Sequence, residues 1–77
     1  MQNPETFIVT SLERNAQLIP KESVLGGTMR FIDTEILNQR FIWAAYEDGH
    51  IAGEAIFQYK LNKADSIDFK LVSKIRD

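Results

Sequence analysis

The apolar positions of this chain keep a helical rhythm in its first quarter and a two-residue rhythm from Thr28 onward. Ile8, Val9, Leu12, Ala16 and Ile19 fall within about 100° of one another on a 3.6-residue wheel, the pattern of a helix that buries one stripe, with Phe7 off it. Asn3-Pro4-Glu5 supplies a start. Asn3 can accept from orphan N–H groups, Pro4 suits the first helical position, and Glu5 complements the positive end of the dipole. Pro20 disfavours helical backbone at Ile19, so the helix is expected to stop by about residue 18. A strand is the rival for Thr6 to Thr10, a run rich in β-branched residues.

The alternation that follows predicts strands at about 28 to 37, 41 to 47, 50 to 61 and 67 to 76. Asp48-Gly49 between apolar runs favours a two-residue type I′ turn. That turn sets Glu47 opposite His50, Tyr46 opposite Ile51, Ala44 opposite Gly53 and Ile42 opposite Ala55, with Trp43 opposite Glu54 and Phe41 opposite Ile56 on the other side. A three-residue loop at Asn38 to Arg40 places Ile36 opposite Ile42 and Ile32 opposite Tyr46. A loop of residues 62 to 66 places Leu61 opposite Ile67, Lys60 opposite Asp68, Ile56 opposite Val72 and Glu54 opposite Lys74. The fold class that results is α+β, an N-terminal helix packed on a four-stranded antiparallel meander, in a single domain spanning residues 1–77.

One sheet face is then almost wholly apolar, and Ala44, Gly53 and Ala55 at its centre leave room for a helix. The second face mixes Phe31, Leu37, Phe41, Trp43, Ile56 and Val72 with Asp33, Glu35, Glu54, Lys60, Lys70 and Lys74. Large apolar patches are uncommon on isolated monomers, so Phe31, Phe41, Trp43, Ile56 and Val72 form a candidate partner interface anchored by Trp43 and Phe41. In the competing account, residues 20 to 27 fold over this face or the sheet curls on itself.

Other residues offer chemistry. Tyr46, His50 and Tyr59 are candidates for a ligand pocket on the concave face. His50 is not expected to be catalytic, because turn chemistry accounts for Asp48-Gly49-His50 and a hairpin tip lacks the cleft a general base needs. Asp33 and Glu35 share a face and could form a carboxylate pair, for which a solvated strand face is the simpler reading. Gly26-Gly27 reads as a bend, since neither phosphate-binding glycine pattern surrounds it.

Composition narrows the classes. With 77 residues, 44% of them hydrophobic, and a net charge of -2, the chain is a folded domain near the lower size limit, where marginal stability or help from a second subunit is expected. Nucleic-acid binding is not expected, because nine basic residues are scattered among eleven acidic ones. The absence of cysteine closes disulfide, thiolate-zinc and cysteine-nucleophile chemistry, and no cofactor or metal is expected. No apolar run approaches the roughly 18 residues of a membrane span, and no leader pattern is present, so the expectation is a cytoplasmic chain without membrane contact. A fragment trimmed of its export signal would read the same way.

A helix followed by a curved four-stranded meander resembles the cystatin-like and NTF2-like folds, which implies a ligand-binding, enzymatic or associative domain. Gly27-Thr28-Met29-Arg30-Phe31-Ile32-Asp33 resembles the glycine-to-aspartate strand of Sm-like proteins, which implies a small Sm- or SH3-like barrel and an RNA-binding ring subunit. The expected function is a binding or assembly module that acts through a sheet face without catalysis, with a homodimer or a protein partner. One alternative is a ligand-binding or enzymatic domain with a pocket on the concave face; the second is the Sm-like RNA-binding subunit.

Overall fold

A computed structural model describes residues 4–20, 27–62 and 66–76. One helix, α1 (Pro4–Glu13), packs on a four-stranded antiparallel sheet of β1 (Arg30–Ile36), β2 (Phe41–Glu47), β3 (Ala52–Leu61) and β4 (Ile67–Arg76), in simple sequence order. The α+β meander and its four strands agree with the alternation in the sequence. The proposed Asn3 cap, Gly26, and most of the stretch suggested to cover the second face lie outside the described residues.

The helix is shorter than the apolar stripe implies. Asn15 ends it: the side-chain Nδ2 donates to the Ser11 carbonyl at 2.7 Å, the acceptor that a continuing helix would assign to the Asn15 backbone N–H. That backbone N–H donates to Leu12 instead, at 2.9 Å, and the chain tightens into a 3₁₀ turn at Ala16–Leu18. The turn still delivers the stripe. Ile8, Leu12 and Ile19 are buried, with Val9 and Ala16 packed beside them.

These side chains meet Ile42, Ala44, Tyr46, Ala55, Phe57 and Tyr59, all buried on one face of the central strands. Ala44 and Ala55 are paired directly across β2 and β3, a low spot in the sheet surface. The helix touches both outer strands, β1 and β4, so the sheet curves around it. Among the described residues, no helix is long and apolar enough to cross a membrane.

Three registers depart from expectation, each for an identifiable reason. The tip of the β2–β3 hairpin is Gly49-His50, not Asp48-Gly49. Asp48 precedes the tip, and its carboxylate Oδ1 accepts from the backbone N–H of His50 at 2.8 Å and of Ile51 at 2.9 Å. Gly49 becomes the first central residue with φ +95°, a geometry suited to a two-residue hairpin. Every β2–β3 pair therefore slides by two: Tyr46 faces Gly53, Ala44 faces Ala55, Ile42 faces Phe57, Trp43 faces Ile56 and Phe41 faces Gln58. A slide of two leaves each side chain on its expected face.

In β1, the pairs from Ile36↔Ile42 to Thr34↔Ala44 agree with the three-residue loop, but a bulge at Ile32 then puts Phe31, not Ile32, opposite Tyr46. Phe31 joins the core and meets Phe57 edge-to-face, ring centroids 5.9 Å apart, while Ile32 is 49% exposed. The larger ring takes the buried position, and an aromatic pair of this kind adds about 0.5–1.5 kcal/mol beyond burial.

In β4, the pairs from Leu61↔Ile67 to Phe57↔Leu71 also agree with expectation. Register shifts beyond them set Ser73, not Val72, opposite Ile56 and Arg76, not Lys74, opposite Glu54. The irregularities and the exposed Lys70 and Lys74 are devices that keep an edge strand from pairing indiscriminately.

Candidate functional site

The face of the sheet turned away from α1 carries Phe41 and Trp43 on β2 and Ile56 on β3, all half-buried. Phe41 and Trp43 are two residues apart and so project together, and Ile56 lies directly across from Trp43. Trp43 Nε1 donates to Glu54 Oε1 at 3.0 Å along the diagonal between neighbouring pairs. This bond satisfies the indole N–H within the sheet. Of the residues expected at an interface, the structure thus brings Phe41, Trp43 and Ile56 together. It moves Phe31 through the sheet into the core and leaves Val72, 51% exposed, at the β4 irregularity beside Ser73.

Charged side chains surround the patch asymmetrically. Exposed Asp33 and Glu35 of β1 lie in the rows of Ala45 and Trp43, while exposed Lys70 of β4 lies in the row of Phe41 and Gln58. Lys60 of β3 and Asp68 of β4 make up the next row, both exposed. Arg30 and Glu47 occupy the opposite end of the face, 3.7 Å apart.

Tyr46, His50 and Tyr59 do not form a common site. Tyr46 has no exposed surface, and His50 is exposed at the hairpin tip. Tyr59 lies six residues along β3 from Gly53, the partner of Tyr46, which is about 20 Å of strand. Its hydroxyl donates to the Asn38 carbonyl at 2.6 Å, tying β3 to the β1–β2 loop. That loop is built around Asn38, whose Oδ1 accepts from Arg40 and Phe41 N–H at 2.7 and 2.9 Å. Tyr59 also lines an open groove of about 630 Å³ with Glu5, Ile8, Leu37, Asn38 and Leu61. The alternation did not expose this groove, because it lies where the helix start crosses the end of the sheet and depends on tertiary placement.

Asp33 Oδ1 accepts from the backbone N–H of Thr34 at 2.9 Å, a local bond of a solvated strand. Among the described residues, no group of three or more His, Asp or Glu side chains converges on a point that could hold a metal. Comparison of the chain with models of protein families, with curated proteins and with solved structures finds no match. The class of protein is therefore defined by its architecture: a small α+β domain with a helix on one side of an antiparallel meander and an aromatic patch on the other.

Proposed function

We propose that this domain is a binding or assembly module that docks through the outer face of its sheet, with Trp43 and Phe41 as anchors and no catalytic role. The observation that carries the reading is the grouping of Phe41, Trp43 and Ile56 on the side opposite the buried cluster, framed by exposed charges. An apolar centre with a charged rim is the usual anatomy of a docking surface, and tryptophan is among the residues that most often carry its energy.

Trp43 is the only tryptophan in the chain, so its fluorescence reports this face alone. Acrylamide quenching at high dilution should reach the indole readily, and association should shield it. Shielding of Trp43 in a species of monomer mass would refute the reading, because the chain itself would then cover the patch.

A further inference from the structure

We infer that the partner on this face is a second copy of the same chain, joined by a two-fold axis through the Phe41–Trp43–Ile56 patch. This inference rests on the docking role proposed above and adds the identity and orientation of the occupant. Charge layout carries it. Acidic Asp33, Glu35 and Glu54 lie in the Ala45 and Trp43 rows of the outer face, and Lys60 and Lys70 in the rows toward its other end, where they outweigh neighbouring Asp68; Arg30 and Glu47, beyond the acidic rows, pair with each other.

The relative positions follow from the register. Asp33 and Glu35 lie in the Ala45–Glu54 and Trp43–Ile56 rows; Lys70 lies in the Phe41–Gln58 row and Lys60 in the row beyond. Strands stand about 4.8 Å apart and same-face residues about 6.7 Å apart along a strand. The midpoint between the acidic and basic pairs therefore falls among Trp43, Phe41, Ile56 and Gln58. A two-fold axis through that point, in the plane between two stacked sheets and perpendicular to the line joining the pairs, brings the acidic pair of each copy over the basic pair of the other. It stacks the two aromatic patches on themselves as well. Turning the axis onto the joining line would set acid against acid and base against base, so the layout selects one orientation. An isologous interface requires this self-complementarity, and here both its apolar and its charged parts satisfy it.

A charge exchange tests the geometry. One variant carries Asp33→Lys and Glu35→Lys; the other carries Lys60→Glu and Lys70→Glu. All four side chains are exposed, so circular dichroism should show wild-type folding in both. Each variant alone should self-associate at least tenfold more weakly than wild type in sedimentation experiments, because both halves of its two-fold interface now oppose like charges. An equimolar mixture of the two should recover a mixed dimer, visible by native mass spectrometry. A wild type that stays monomeric at every concentration would overturn the second-copy inference, yet leave the docking role open if Trp43 remains quenchable. Wild-type self-association by either variant alone, or no mixed dimer on combining them, would overturn the orientation. Shielding of Trp43 in a monomer would instead remove the docking role itself.

Discussion

Replacing Gly49 by the two mirror forms of alanine isolates the backbone geometry that holds the β2–β3 register, and with it the face on which Trp43 lies. Gly49 has φ +95°, and the Cβ of an L-residue built there meets nothing within 4 Å, so no packing term confuses the L-form. For Gly49→Ala the cost is conformational alone, about 1–2 kcal/mol for an L-residue held at positive φ. D-alanine, introduced by chemical synthesis of this short chain, prefers positive φ. It should stabilise by about 0.4–1 kcal/mol because it restricts the unfolded chain and adds no strain. In urea, with a slope of about 1 kcal/mol per molar for a domain this small, the L-form midpoint should fall by about 1–2 M and the D-form midpoint should rise by about 0.4–1 M. The sign difference is the test. Midpoints that move in the same direction would show that Gly49 does not sit at the hairpin tip with positive φ, and the pairing of Trp43 with Ile56 would lose its basis.

Three further perturbations probe the rest of the molecule. Leu12→Ala removes a side chain with no exposed surface from beneath the sheet and should cost about 2–5 kcal/mol in urea unfolding, enough to leave much of the domain unfolded. Tyr59→Phe removes the 2.6 Å bond to the Asn38 carbonyl; it should cost about 0.5–1.5 kcal/mol and speed amide exchange at Leu37 and Phe41. Asp48→Ala deletes both N–H bonds at the hairpin tip, for a loss of about 1–2 kcal/mol with amide exchange accelerated at His50 and Ile51.

The faces of the sheet were legible because period-two alternation survives any slide by two. The register was less legible, because it depends on which residues the turn recruits. Asp48 can occupy a central turn position or precede the turn and cap it, and its carboxylate bonds to His50 and Ile51 N–H decide for the latter. The irregularities were hidden for a different reason. Exchanging Phe31 for Ile32 at the core depends on space beside Phe57, a residue 26 positions away in sequence, and no local pattern encodes that space. The helix end at Asn15 was visible in principle, since asparagine competes with backbone hydrogen bonding; the apolar stripe running on to Ile19 masked it. Within the candidate interface, Phe41, Trp43 and Ile56 lie on regular β2–β3 pairs and fell where alternation put them, whereas Phe31 and Val72 lie at irregularities.

The most direct test of the outer face as an assembly surface is the sedimentation mass of Trp43→Thr beside that of wild type, with far-ultraviolet circular dichroism confirming that both are folded. Threonine suits a strand, and the change removes the aromatic anchor together with its bond to Glu54. The wild type should sediment as a dimer and the folded variant as a monomer. A variant that sediments like the wild type, or that unfolds as completely as Leu12→Ala, would show that Trp43 serves the domain's own packing and not its association.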